Sequence, residues 1–289
     1  MPELPEVETV RRGLAPVLEG ARLKRVIANR ADLRFPLPEN FAARLKGARI
    51  VSLARRAKYL LATLDTGETL AMHLGMSGRF TIIGGRTEKT AEPGNLYYSA
   101  PPDPVHTHVV FETEAGATVE YNDPRRFGYM TLIPSDALEG SKYFVGLGPE
   151  PLGNSFSGEA LFSAFAKRKQ NVKATLLDQR VVAGLGNIYV CEALHRAHIS
   201  PRRAAGRVKR AEAEALAIAV RTVLNEAIEA GGSSLKDYAG AGGELGYFQH
   251  RFRVYDREGQ ACPTPKCGGE IRRIVQGGRS TFYCPRCQR

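Results

Sequence analysis

The first nine residues of the chain bring together two prolines and three glutamates. Pro5, Glu6 and Glu8 suit the first turn of an α-helix, where a missing N–H costs nothing and the helix dipole favours negative charge. That account does not explain Pro2 and Glu3. If the initiator methionine is removed, Pro2 carries a terminal amine that titrates near about pH 8, so part of it is neutral and nucleophilic at neutral pH. An amine beside a carboxylate is the arrangement that imine catalysis with a general acid/base requires.

Four of the five cysteines form two closely spaced pairs near the C-terminus. The first pair follows a C-x4-C pattern and the second a C-x2-C pattern, with sixteen residues between them, at Cys262, Cys267, Cys284 and Cys287. Two such knuckles joined by a hairpin place four thiolates around one zinc ion, and four sulfur ligands make that zinc structural. Disulfides are the alternative, which a cytoplasmic location disfavours. Cys191 stands apart on a predicted helix, where we expect a buried, small apolar residue.

A glycine-flanked arginine lies between the two cysteine pairs, in the run Gly277-Gly278-Arg279-Ser280-Thr281. A turn of this kind directs the arginine outward, and a hairpin stiffened by zinc can press it against DNA. Zinc ribbons also bind proteins, so the motif alone does not decide the partner.

The charge of the chain favours a nucleic-acid partner. Lys and Arg number 41 against 30 Asp and Glu, a net charge of +11, and an anionic membrane surface is the competing partner. No apolar run approaches the roughly 18 residues needed to span a bilayer, and the acidic N-terminus lacks the pattern of a signal peptide. We therefore expect a cytoplasmic protein, and its 289 residues suggest about two domains.

The predicted secondary structure that must position the candidate residues changes from strands to helices about halfway along the chain. An amphipathic N-terminal helix is followed by short alternating segments, which favour a β-sandwich or barrel. The predicted strands are 22–29, 48–54, Tyr59–Leu64, Thr69–His73, Arg79–Ile83, His108–Glu112, Thr118–Tyr121 and Tyr129–Ile133. After a Pro- and Gly-rich stretch, the predicted helices are Ser157–Phe165, Asn171–Gln179, Gly186–His195 and Ala211–Ala230.

The N-terminal run Pro-Glu-Leu-Pro-Glu-Val-Glu-Thr closely resembles the start of the bacterial formamidopyrimidine-DNA glycosylases, and the resemblance extends along the whole chain. These enzymes excise oxidised purines such as 8-oxoguanine from duplex DNA and then cut the strand at the abasic site. The resemblance implies an α+β protein of two domains, with an N-terminal helix and β-sandwich, a helix–two-turn–helix bundle and a four-cysteine zinc-finger hairpin. It also implies a monomer with one structural Zn²⁺, double-stranded DNA as partner, and no nucleotide cofactor.

The resemblance further implies a division of the chain and a location for the protein. We expect a catalytic β-sandwich over 1–134, a linker over 135–156, DNA-binding helices over 157–232, a flexible lesion-recognition loop over 233–246 and a zinc-finger hairpin over 247–289. The implied location is the bacterial cytoplasm, in association with the nucleoid.

By the same resemblance, four residues carry the chemistry. Pro2 attacks the sugar C1′ as the damaged base departs, giving a covalent imine with the DNA, and Glu3 acts as general acid/base. Lys58 contacts a phosphate near the lesion and takes part in β-elimination, although the run around it would otherwise be read as a solvated basic edge. Arg279 contacts phosphate at the lesion and takes part in the second, δ-elimination. Glu6 supports the site.

The resemblance assigns DNA contacts to His73, Met76, His106, Arg125, Phe127, Lys169 and Asn187. Met76 and the pair Arg125 and Phe127 lie in turns, where they form a wedge that fills the stack vacated by an extruded base. Without the resemblance, His73 would be read as a structural residue. His106 and His108 could form a metal pair, but no third ligand is evident, and His108 is expected to be structural.

Two further features concern phosphate. Lys167, Arg168, Lys169 and Lys173 form a basic cluster between predicted helices, which we interpret as a phosphate patch containing Lys169. The run 184–187 opens a helix, where free N–H groups suit a phosphate beside Asn187.

The sequence is also compatible with three rival functions. An endonuclease VIII-like glycosylase would prefer oxidised pyrimidines, and a non-catalytic zinc-ribbon protein would bind DNA without cutting it. A membrane-surface protein would bind anionic vesicles, but no helix here has the required basic face.

Overall fold

The computed structural model describes residues 2–84, 103–233 and 247–289, which divide into two compact units. The first unit comprises Met1–Val145 with Ile228–Gln249, and the second comprises Gly146–Ala227 with His250–Arg289. Of the loop expected over 233–246, only Ser233 falls within the described residues.

The first unit begins with helix α1, Leu4–Leu18. The helix starts there because Pro5 occupies its first turn and the Glu6 carboxylate accepts the N–H of Glu3 over 2.8 Å, which satisfies a backbone donor at the helix start. The apolar stripe that recurs every three or four residues faces the core, and its members are buried: Val7, Val10, Leu14 and Leu18.

Two four-stranded antiparallel sheets form the body of the first unit. In chain order the strands are β1 (Leu23–Ala28), β2 (Ile50–Arg56), β3 (Tyr59–Leu64), β4 (Glu68–His73), β5 (Arg79–Gly84), β6 (Thr107–Thr113), β7 (Ala117–Asn122) and β8 (Tyr129–Pro134). One sheet has the order β1-β6-β7-β5 and the other β2-β3-β4-β8. Side chains from both sheets and from α1 share one hydrophobic core, which confirms the β-sandwich.

Helix α2, Phe41–Leu45, is absent from the sequence predictions. It is five residues long, so a helical period has no room to show itself in the sequence. Tertiary packing fixes it, because Phe41 and Leu45 lie one turn apart on the same face, are both buried, and the helix packs against β1.

The described residues of the second unit contain helices and one hairpin. They are α3 (Gly158–Phe165), α4 (Val172–Leu177), α5 (Asn187–Arg196), α6 (Arg210–Glu229, whose last two residues fall in the first unit), β9 (Arg272–Gln276) and β10 (Arg279–Tyr283). Side-chain caps set two of the helix starts: Ser157 accepts the N–H of Ala160 over 3.1 Å, and Asn171 accepts that of Ala174 over 2.8 Å. The predicted helices are all present, with ends shifted by a residue or two.

No helix in the described part of the chain has the length and apolar character needed to cross a bilayer.

The core around α1 gives a stability prediction. Leu14 has no exposed surface, so Leu14→Ala should lower the free energy of unfolding by about 2–5 kcal/mol, because buried methyl groups are lost and a cavity remains. The matched variant is Arg12→Ala on the same helix, whose exposed ion pair with Glu8 should contribute no more than about 1 kcal/mol. Urea denaturation followed by circular dichroism measures both. Equal losses for the two variants would contradict the packing of α1 described above.

Candidate functional site

Pro2 and Glu3 are both buried at the start of α1, and Glu6 holds this segment in place. One carboxylate oxygen of Glu6 accepts the Glu3 N–H over 2.8 Å. The other accepts the N–H of Ser233 over 2.8 Å and its hydroxyl over 2.9 Å. Gly232 packs directly on Glu6, since a Cβ there would lie 3.2 Å from the Glu6 Cγ, at a φ of +88° that favours glycine.

The sequence assigns Glu6 a supporting role but does not identify Ser233 as its partner. The two residues are 227 positions apart, so no local pattern links them. A buried carboxylate needs several hydrogen-bond donors, and the Ser233 backbone and hydroxyl supply two of the three seen here. The same carboxylate thus fixes both the Pro2–Glu3 segment and the residue that precedes 234–246.

His73 ends strand β4 among aromatic rings. The Tyr129 ring stacks on it with centroids 5.1 Å apart, and the Tyr59 ring meets it edge-on at 5.0 Å. Its Nδ1 accepts the N–H of Gly75 over 3.0 Å, which leaves the ring proton on Nε2. Burial, and then the positive charge of Lys58, lower the pKa of His73 to about 4. His73 is therefore neutral at pH 7 and offers one N–H donor.

Lys58 is brought to His73 by the pairing of strands β3 and β4. Lys58 lies in the tight turn before β3, beside Ala57, whose φ is +52°, and its side chain is largely buried. The next residue, Tyr59, pairs directly with His73 across the two strands. The Lys58 ammonium is near enough to His73 for its charge to lower the pKa of the ring, so a basic side chain and an N–H donor share one region of the surface.

Two touching loops carry Met76, Arg125 and Phe127. A Cβ on Gly75 would lie 2.3 Å from the backbone nitrogen of Gly128, so the loops approach more closely than any other residue allows. The Arg125 guanidinium lies 5.0 Å from the centre of the Phe127 ring, which is 41% exposed. Met76 is partly buried beside them. The three side chains that the sequence groups as a wedge therefore lie on adjoining loops.

Asp123 holds these two loops together, and the sequence reasoning did not identify it. It is fully buried, and its two carboxylate oxygens accept the Ser77 hydroxyl and, over 2.8 Å, the Gly128 N–H. The Ser77 oxygen in turn accepts the N–H of Arg125 over 3.2 Å. The available sequence signal is an aspartate that opens an Asp-Pro turn.

The two nearby histidines differ in exposure. His106 is partly exposed, and its carbonyl accepts the Asp123 N–H over 3.0 Å. His108 is buried, with Nε2 2.9 Å from the Asp123 carbonyl oxygen, which agrees with a structural role. Among the described residues, neither belongs to a cluster of metal-binding side chains.

In the second unit, side chains from two helices donate hydrogen bonds to the strand that begins with Arg279. Asn187, the first residue of α5, donates its side-chain N–H to the Ser280 carbonyl over 2.9 Å. Lys173 on α4 donates to the same carbonyl over 3.2 Å and to the Thr281 hydroxyl over 2.6 Å. The Arg279 side chain itself is exposed.

Lys173 corrects the interpretation of the basic cluster. The sequence groups it with the predicted phosphate patch, but it is 0% exposed and its ammonium is directed at the hairpin backbone. A buried ammonium needs such acceptors, and the predicted helix spacing could not reveal partners more than a hundred residues away. Lys169 does lie on the surface, in a loop where the Arg168 carbonyl accepts the N–H of Gly206 over 3.0 Å.

The four clustered cysteines have the geometry of a closed metal site. All four Sγ atoms lie within 4.8 Å of one another, with Cys262 and Cys287 at 3.7 Å and Cys267 and Cys284 at 3.6 Å. A tetrahedral zinc with bonds of about 2.3 Å requires about 3.8 Å between sulfurs, so these residues fit the ion. Cys191 is buried beside this cluster, in the same hydrophobic core.

Glu192 on α5 is a second residue that sequence reasoning missed. It is fully buried, and its carboxylate accepts the N–H groups of Arg253, Val254 and Tyr255 at 2.9–3.1 Å. It therefore fixes the chain that leads into the cysteine module.

Comparison with known families covers nearly the whole chain. Residues 1–130 match the formamidopyrimidine-DNA glycosylase N-terminal domain, residues 147–239 match the formamidopyrimidine-DNA glycosylase H2TH domain, and residues 259–289 match the zinc finger found in FPG and IleRS. The chain is 62% identical over 288 residues to the formamidopyrimidine-DNA glycosylase of Caulobacter vibrioides (strain NA1000 / CB15N), with 100% of both chains covered. It is 57% identical over 295 residues to that of Rhodopseudomonas palustris (strain TIE-1), again with 100% of both covered.

Solved structures give the same result for the fold. The MutM (Fpg) protein from Thermus thermophilus matches with a TM-score of 0.82 and 39% identity over 99% of this chain and 98% of that one. The Lactococcus lactis Fpg in complex with DNA that contains an abasic site matches with a TM-score of 0.84 and 32% identity over 100% of both chains.

The environment of His73 gives a pH prediction. Its ring resonances should stay constant as the pH falls through 6.5 and should titrate near 4, because burial, and then the positive charges of Lys58 and Arg34, disfavour the protonated ring. A folded-state pKa below the unfolded value means that its contribution to stability is complete above about pH 6.5 and is lost as the pH falls towards 4. Lys58→Met should raise the pKa only part of the way, since burial remains. NMR titration measures both proteins, and a wild-type ring that titrates near 6.5 would contradict this environment.

Proposed function

The chain belongs to the formamidopyrimidine-DNA glycosylase family, and from that premise we propose that it excises oxidised purines from duplex DNA and then cuts the strand at the abasic site. The observation that carries the proposal is the buried Pro2–Glu3 pair at the start of α1, which Glu6 holds in place. The names of the relatives and the Lactococcus lactis complexes with abasic-site and Fapy-dG DNA support the same substrate class.

Base removal uses the amine and the carboxylate together. With Met1 removed, the Pro2 nitrogen attacks C1′ of the damaged nucleotide, and the bond from C1′ to the base breaks as the base takes up a proton. The Glu3 carboxyl, which is 3% exposed, is adjacent in the chain and acts as general acid/base for the proton transfers that open the sugar and form the imine. Glu6 is a positioning residue, since it holds the backbone N–H of Glu3.

Strand cleavage follows by elimination on both sides of the sugar. The imine makes the neighbouring sugar protons acidic, and the two phosphates depart in turn by β- and δ-elimination. Lys58 contributes to the first elimination and Arg279 to the second. Each is supported by its location: Lys58 lies beside the N–H donor of His73, and Arg279 is exposed on a strand whose next residue is held by Lys173 and Asn187.

DNA binding combines phosphate contacts with a wedge. The neutral His73 donates Nε2–H to a phosphate, exposed Lys169 supplies charge, Asn187 lies at the N-terminus of α5, and His106 adds a further contact. Met76 and Phe127 fill the stack after the lesion is extruded, and Arg125 hydrogen-bonds the orphaned base. Asp123 positions the wedge by joining its two loops.

The metal of the cysteine site is Zn²⁺, bound by Cys262, Cys267, Cys284 and Cys287. Four sulfur ligands leave no open position, so the ion stabilises the fold of the module around the Arg279 hairpin. We assign imine formation and the first elimination to residues 1–134, and DNA binding to 157–232 and to 247–289, where Arg279 also takes part in the second elimination. Residues 135–156 link these parts, and 233–246 read the lesion. We infer an association with the nucleoid from the DNA substrate.

Glu3→Gln tests this proposal most simply. The amide keeps the size of the side chain but cannot exchange a proton, so single-turnover excision of 8-oxoguanine opposite cytosine should slow by about 10²–10⁴-fold. Binding of the same duplex should persist, because the phosphate contacts are unchanged. The matched variant Glu39→Gln alters an exposed carboxylate and should leave the rate as it is. A wild-type rate in Glu3→Gln would remove Glu3 from the mechanism.

A further inference from the structure

His195, near the C-terminal end of α5, lies against the cysteine site without being one of its ligands. Its Nε2 is 3.4 Å from the Cys262 Sγ, 3.4 Å from the Thr264 hydroxyl oxygen and 4.0 Å from the Cys287 Sγ. The Thr264 oxygen is itself 3.7 Å from the Cys287 Sγ. One edge of the imidazole thus faces both sulfurs of the Cys262–Cys287 pair.

The surroundings of the ring indicate which nitrogen carries the proton. His195 is 1% exposed, and within the described residues its Nδ1 has no hydrogen-bond partner. A neutral imidazole has one N–H, and a buried N–H without an acceptor is rarer and costlier than an unused acceptor. The proton therefore belongs on Nε2, the nitrogen that faces thiolate and hydroxyl acceptors.

We propose that His195 is a positioning residue of the metal site, which donates its Nε2–H to the Cys262 thiolate and to the Thr264 hydroxyl that faces Cys287. The proposal rests on the proposed Zn²⁺ in this site. It assigns a role to a side chain that the glycosylase chemistry does not use.

The chemistry of the site explains why such a donor is useful. Four thiolates around one divalent cation leave excess negative charge on sulfur, and N–H donors disperse it. The cysteine knuckles already supply backbone donors, from Thr264 to Cys262 and from Arg286 and Cys287 to Cys284. His195 adds a side-chain donor from outside the knuckles, in the manner of the outer groups that hold metal ligands in place.

The same contact ties α5 to the cysteine module at its far end. Asn187 begins the helix and bonds to Ser280, while Glu192 in its middle holds residues 253–255. His195 near its end reaches Cys262 in the first knuckle. The helix is thus joined to the hairpin, to the entering chain and to the metal site.

The test compares zinc release from the purified full-length protein and its variants. Zinc content is measured first, and then the rate of transfer to a chelating dye. His195→Phe keeps a ring of similar size but has no donor, so it should release zinc about 10–100-fold faster than wild type. His195→Gln retains an N–H donor and should release zinc more slowly than His195→Phe. The control is His198→Asn: its exposed ring is 6.4 Å away, and its φ of +57° is one that asparagine tolerates.

Other outcomes overturn the proposal in distinguishable ways. If His195→Phe releases zinc at the wild-type rate, or if the Gln and Phe variants are equally fast, the histidine only fills space. A wild-type protein that binds no zinc would refute the proposed metal itself, and with it this hydrogen bond. If the Phe variant does not fold, the ¹⁵N shifts of the wild-type imidazole decide: a proton on Nε2 supports the proposal, and a proton on Nδ1 overturns it.

Discussion

The buried carboxylate of Glu6 is the constraint on which the arrangement of the first unit depends. A charge in the interior is tolerated only when hydrogen bonds satisfy it, and here the donors are the Glu3 N–H and both polar groups of Ser233. The segment that would otherwise fray at a chain terminus is therefore fixed. Because this bond holds the backbone of Glu3, Pro2 and the Glu3 carboxylate are buried together at the start of α1.

The second unit uses buried and half-buried polar groups in the same way. Lys173, Asn187 and Glu192 each project from a helix and end on backbone groups of the segments around the cysteine module. Each of these side chains shields a polar group from water. The hydrogen bond it makes therefore stabilises the fold only when its backbone partners are in place. The exposed Arg279 is thereby held by a buried framework, although it has no core packing of its own.

The sequence predicted the local features well. Alternation located the strands, apolar stripes and capping residues located the helices, and cysteine spacing predicted a site that four sulfurs within 4.8 Å confirm. The exception was α2, which is too short to show a period. Met76, Arg125 and Phe127 do lie on adjoining loops, because the turns that carry them are determined by neighbouring residues, and their role as a wedge stays a prediction.

Such local patterns do not identify hydrogen-bond partners that are far apart in the sequence. Asp123, Glu192, His195 and Ser233 act through contacts made 46–227 positions along the chain, and their residue types are common in ordinary helices and turns. Lys173 was misplaced for the same reason, since a lysine between basic residues reads as surface until its buried acceptors are seen. A local sequence pattern does not show which polar groups form hydrogen bonds with one another after folding.

The most direct measurement is borohydride trapping of the protein on a duplex that carries 8-oxoguanine opposite cytosine, with an oxidised-pyrimidine duplex alongside. Mass spectrometry verifies that Met1 is absent and locates the adduct. The account predicts a covalent adduct on Pro2, formed more strongly with the oxidised purine. If the duplex is bound but no adduct forms on protein that lacks Met1, Pro2 is not the nucleophile and the central claim is wrong.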